Sequence, residues 1–152
     1  VTTTVPVTGT VYLKHDADNI YICIQGSLGR FPSRFFGVYL DTNHGQEKSP
    51  QKDDLSLRVT VTKSVTSSYQ GAGLPTPFYE PLNLPVGLWE AKATTGNNDT
   101  AEYRIARDLI SPTCSSPFGL TVYHQWVRET NDDFGLSGPQ GYYFPSAWIE
   151  AP

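Results

Sequence analysis

Apolar and polar residues alternate with a period of two through the hydrophobic runs of this chain, and no segment sustains the helical period of 3.6. Between positions 1 and 13 the odd residues read Val, Thr, Val, Val, Gly, Val, Leu, and the even ones Thr, Thr, Pro, Thr, Thr, Tyr. Successive side chains of a strand point to opposite faces, so this stretch has one apolar and one polar face. Pro6 cannot donate to a ladder and marks an edge or a bulge. Residues 20–25, 35–40, 55–62, 88–94, 101–106, 118–129 and 142–149 read as further strands. Residues 64–69 either extend the strand before them or pair beside it. The segment 71–85 carries Pro75, Pro77, Pro81 and Pro85 and reads as a long loop. Thr95-Gly-Asn-Asn-Asp99 reads as the turn of a hairpin, residues 107–117 hold a short helix at most, and 130–140 is a polar, glycine-rich loop. About eight or more strands at spacings of roughly 10–15 residues predict an all-β, antiparallel two-sheet β-sandwich, jelly-roll-like. We expect a single domain over 1–152, with 1–11 its own edge strand or a strand exchanged with another copy.

Charge excludes several partners. The net charge is −4 and there is no Lys/Arg-rich run, so neither a phosphate backbone nor an anionic membrane surface is an expected partner. No apolar stretch approaches the roughly 18 residues of a spanning helix. Charged residues are only 17% of the chain, which fits a secreted or cell-surface protein. The chain begins at Val1 and has no Met, which we read as a mature or excised piece whose signal peptide is gone. Cys23 and Cys114 are too far apart for a CxxC site. In an oxidising compartment they would form one long-range disulfide, and otherwise two buried thiols.

Four segments in order carry a resemblance. They are Tyr12-Leu-Lys-His-Asp-Ala-Asp-Asn-Ile-Tyr-Ile-Cys-Ile24, Phe36-Gly-Val-Tyr-Leu-Asp-Thr-Asn43, Thr100-Ala-Glu-Tyr-Arg-Ile105 and Phe118-Gly-Leu-Thr-Val122. Together they resemble family 9 carbohydrate-binding modules and their DOMON-like bacterial relatives, and Trp148 would be the Trp those proteins place near the end. The resemblance implies an antiparallel sandwich, a sugar-reading role and, in some members, structural calcium.

Sugar rings have apolar CH faces that stack on aromatic planes, and hydroxyls that need polar partners. The aromatics on or beside long loops are therefore the candidate platform: Tyr69, Phe78, Tyr79 and Trp89 with Glu90, then Tyr142, Tyr143 and Trp148. Trp126 shares a strand face with Leu120, Val122 and His124 and is expected in the core. Calcium takes six to eight hard oxygens. Asp41, Asn43, Asp53 and Asp54 flank one loop and are the expected ligands, with Asn131-Asp132-Asp133 and Asp16, Asp18, Asn19 as further acidic turns. His15, His44 and His124 lack zinc-site spacing. No Gly-x-Ser-x-Gly elbow or P-loop is present, so we expect a binding protein rather than an enzyme. Asn98-Asp-Thr100 fits a glycosylation sequon in a turn.

Two functions remain in view. One is an extracellular module that binds a glycan or polysaccharide without covalent chemistry. The other is a filament subunit in which Val1, Thr3, Val5, Val7 and Val11 add as a strand to a neighbour, with self-association as the outcome.

Overall fold

The computed structural model describes residues 9–26, 34–73, 78–110, 117–126, 129–135 and 149–151, with backbone alone for 125–126, 129–135 and 149–151. These residues form β1 (Gly9–His15), β2 (Asn19–Gly26), β3 (Arg34–Asp41), β4 (Asp54–Thr60), β5 (Thr66–Gly71), β6 (Tyr79–Pro81), β7 (Trp89–Thr94), β8 (Asp99–Ala106), β9 (Phe118–Trp126), β10 (Glu129–Gly135) and β11 (Ile149–Ala151). A single 3-10 turn, Arg107–Leu109, follows β8. The smaller sheet has the order β1-β2-β8-β7. The larger runs β10-β9-β3-β4-β5-β6, and β11 also pairs with β9. Every pairing is antiparallel.

Alternation decides which side chains meet between the sheets. Ile20, Ile22 and Ile24 of β2 and Ala101, Tyr103 and Ile105 of β8 point inward from the smaller sheet. Phe36, Val38 and Leu40 of β3, Leu55, Leu57 and Val59 of β4, and Leu120 and Val122 of β9 face them. Burial of this apolar surface is the main stabilising term, about 25 cal/mol per Å². Two polar ties cross the same space. The Tyr103 hydroxyl donates to the backbone carbonyl of Phe36 at 2.8 Å. Arg34 of β3 clamps Asp99 of β8 through two nitrogens, Nη2 to Oδ1 at 3.0 Å, and both side chains are nearly inaccessible. His124 lies beside them, fully buried, stacked on Phe36 with ring centres 4.1 Å apart. Its Nε2 is 3.4 Å from Asp99 but makes no hydrogen bond. Burial pushes its pKa down to about 4, against the pull of Asp99.

Two strands occupy segments whose sequence reads as loop. β6 is three residues long and ends on Pro81, at the edge of its sheet where a missing N–H is tolerated. β10 is polar except for Phe134 and its register with β9 shifts between Glu129 and Phe134, so alternation is lost. Val11 pairs with Ile24 of its own chain and packs against the core, the edge-strand arrangement of the two expected for 1–11. Val1, Thr3, Val5 and Val7 lie outside the described residues. No helix among the described residues is long and apolar enough to cross a membrane.

Candidate functional site

The inward set of the larger sheet fixes its outward set. Phe35, Gly37, Tyr39 and Asp41 of β3 point away from the core, as do Asp54, Ser56 and Arg58 of β4, Ser67 and Tyr69 of β5, and Tyr123 of β9. A solvated sheet face would be polar and open. This one is aromatic, and much of it is closed. Tyr39 and Tyr123 are fully buried and Tyr79 is nearly so. Tyr39 meets Tyr79 and Tyr123 edge-on, with ring centres 5.6 Å and 5.9 Å apart. Half-buried Tyr69 packs against this cluster.

Arg58 stands in the middle of that face. Its guanidinium carbon lies 4.4 Å from the Tyr69 ring centre, 5.2 Å from Phe35 and 5.8 Å from Tyr39. Cation–π attraction to three rings and a 2.9 Å bond from Nε to Ser56 Oγ hold the group in place. Tyr69 also walls a groove of about 500 Å³ that runs beside β5, where Thr66, Ser67, Ser68, Asn83 and Trp89 complete the polar and aromatic lining. Ser68 Oγ donates to the Leu82 carbonyl at 2.6 Å and ties the 82–87 connection to β5. Gly87 turns that connection with a φ of +94°, where a side chain would be strained. Trp89 is half-buried, its ring nearly parallel to Tyr103 at 6.4 Å.

Of the expected sugar-binding residues, the fold thus brings Tyr69 and Trp89 to one groove. Tyr79 is packed away against Tyr39. Glu90 points out from the smaller sheet, where it accepts a 2.8 Å bond from Arg104 Nε. A second depression, about 660 Å³, opens there beside Tyr21, Cys23, Lys92 and Glu102. Phe78 is exposed. Tyr142, Tyr143 and Trp148 lie outside the described residues. Sequence reasoning missed Arg58, Phe35 and Tyr39. The signal was present, since a charged residue between Leu57 and Val59 must face outward.

Acidic residues gather at one end of the same face. Asp41 and Asp54 are directly opposed across β3 and β4, and both are fully buried. Ligand oxygens of Asp41, Asp54 and Glu47 lie within 4.8 Å of one another. Asp41 is satisfied by the amides of Gly45 and Gln46, each at 3.0 Å. Asp54 accepts from the Gln51 amide at 2.6 Å through one oxygen, while its other oxygen and Glu47 Oε2 are buried without a partner. Burial, with lesser contributions from Asp41, Asp53 and Glu47, pushes the Asp54 carboxyl up to about 8. Buried oxygens that lack donors are what a hard cation would satisfy, so these residues fit calcium. Of the expected ligands, Asp41 and Asp54 are joined. Asn43 is exposed, Asp53 stands outside the trio with one buried orphan oxygen, and Glu47 was not foreseen. The β3–β4 register sets Asp41 directly opposite Asp54, at the two ends of the loop they flank.

Cys23 is a free thiol on the outer side of β2, half-buried, and its expected partner Cys114 lies outside the described residues. Asn98 is exposed in the β7–β8 turn, where the sequon places it.

Comparison with known proteins adds to this geometry. The sequence matches no protein-family model and no curated protein. Two solved structures of a family 9 carbohydrate-binding module from Caldicellulosiruptor kristjanssonii match it in three dimensions. The one in complex with glucose superposes with a TM-score of 0.66 at 16% identity, over 98% of this chain and 78% of that one. The one in complex with cellotriose gives 0.61 at 17% identity, over 98% and 76%. The chain has a fold like that of family 9 carbohydrate-binding modules. At such identity the likeness concerns the fold, and the site rests on the residues described above.

Proposed function

We propose that this protein is a non-catalytic carbohydrate-binding module acting outside the cell or at its surface. One observation carries the reading: Arg58, framed by Phe35, Tyr39 and Tyr69, adjoins a groove lined by Trp89, Asn83 and three hydroxyl residues. Aromatic planes take the CH faces of a sugar, and guanidinium, amide and hydroxyl groups take its hydroxyls. Arg58 and its three rings stand on strands and Ser68 ties the 82–87 wall of the groove to β5, so the face is held in place before the ligand arrives. The glucose and cellotriose complexes of the similar fold support a glycan as the ligand. The carboxylates of Asp41, Glu47 and Asp54 do not line the groove, so they have no access to a bound glycosidic bond there. Their part is to hold calcium, which would supply positive charge to an acidic pocket and brace the 41–54 connection.

The test is calorimetric titration of oligosaccharides into the wild type and into Tyr69→Ala and Trp89→Ala. Each truncation should weaken binding about tenfold, the equivalent of roughly 1.4 kcal/mol. Unchanged affinity in both variants would remove the assignment of this groove.

A further inference from the structure

We infer that the ligand face selects glycans carrying an anionic group, a carboxylate or a sulfate, which Arg58 would grip. The inference rests on the carbohydrate-binding reading and names its ligand class. Among the described residues Arg58 has no carboxylate partner. Arg34 is clamped to Asp99 and Arg104 to Glu90. Arg58 bonds only the neutral Ser56 hydroxyl and otherwise faces three rings. The cross-strand positions that would supply an acid are occupied by Gly37 on β3 and Ser67 on β5. Position 37 is closed to anything larger. A Cβ there would lie 2.7 Å from the Tyr39 ring, which folds over the glycine.

The result is a half-buried arginine whose charge is met by ring quadrupoles and one neutral hydroxyl. Its orientation is fixed, so little side-chain freedom is lost when a ligand engages it. Carboxylate and sulfate oxygens match the guanidinium fork with two parallel charge-assisted bonds, which a neutral hydroxyl cannot form. The acidic trio on the same face does not cancel this preference. Asp54 and Arg58 are four residues apart on β4, about 13 Å by strand rise. At that separation the trio makes no ion pair with Arg58, and calcium bound there would neutralise it.

The experiment is calorimetric titration of the whole chain with three matched probes: cellotriose, C6-oxidised cellotriose and 6-O-sulfated cellotriose. We expect at least one acidic probe to bind about tenfold or more tightly than the neutral one, the advantage shrinking as salt is raised. Preference for the oxidised probe alone identifies a carboxylate, and preference for both a general anion site. Arg58→Gln, checked for folding by its melting curve, should bring the acidic-to-neutral ratio near one. Arg58→Lys should keep part of it, since the charge stays and the fork is lost. Equal or tighter binding of cellotriose by the wild type would overturn the inference and leave the carbohydrate-binding reading standing. A ratio that survives in Arg58→Gln, or a salt-independent preference, would overturn it as well. If none of the three probes binds, nor any neutral or acidic glycan on an array, both readings fall together.

Discussion

Asp54 is the residue whose chemistry is most exposed to test. Its carboxyl titrates near 8 in the folded chain against 3.8 in an unperturbed one. Between those values the folded state holds a proton that the unfolded state has released, so stability of the cation-free protein falls as pH rises across the window. Calcium competes with that proton. Adding calcium should therefore raise the melting temperature, and more at pH 8 than at pH 5, while Asp54→Asn should flatten both effects. A calorimetric scan with calcium and with chelator reads this directly. His124 runs in the opposite sense. Its folded pKa of about 4 lies below the ordinary 6.5, so the unfolded state takes up a proton first and stability declines as pH falls through that interval. At Asp99 the consequence is structural. Asp99→Asn removes the carboxylate that Arg34 clamps and should cost about 3 kcal/mol in chemical denaturation, the size expected when one partner of a buried pair is lost. That Asp41 and Asp54 belong to one acidic cluster was legible from residue type and their place at the ends of one loop. Glu47 was not, because nothing in the sequence says that the 41–54 connection folds back over its own ends.

Strands with strict alternation were readable as elements. β2, β3, β4, β8 and β9 each bury an alternating apolar face against the opposite sheet, and in β2 and β8 hydrophobic period and burial coincide. β6 and β10 were not readable, since one is three residues ending in proline and the other is mostly polar with a shifted register. The aromatic layer outside the larger sheet obscured the pattern again. There Tyr39, Ser56, Thr121 and Tyr123 are fully buried although they face away from the main core. A period-two reading predicts such positions to be exposed. Neighbouring elements touch closely at two places that substitution can probe. The Tyr103 hydroxyl joins β8 to β3, and Tyr103→Phe should cost about 1 kcal/mol in urea unfolding. Gly71 at the end of β5 packs under the backbone of Pro50 and Gln51, where a Cβ would come within 2.2 Å of the Gln51 carbonyl. Gly71→Ala should destabilise by about 1–3 kcal/mol, the usual penalty of overpacking, read as a lowered melting temperature.

At the scale of the whole molecule, the sandwich class followed from the strand pattern, but the strand order did not. The inner neighbours in both sheets are distant in sequence, β2 with β8 and β3 with β9. No local signal states such pairings, and they are what bring Tyr69 and Trp89 to one groove and send Glu90 to the opposite side of the molecule. The central claim is that a glycan binds the outer face of the larger sheet and its adjoining groove. Amide chemical-shift mapping on the nitrogen-15-labelled chain, titrated with the glycan that binds best on an array, tests it most directly. The account predicts shifts clustered at Phe35, Ser56, Arg58, Ser67, Tyr69, Asn83 and Trp89. Shifts confined to the outer side of the smaller sheet, around Tyr21, Glu90 and Arg104, would contradict it.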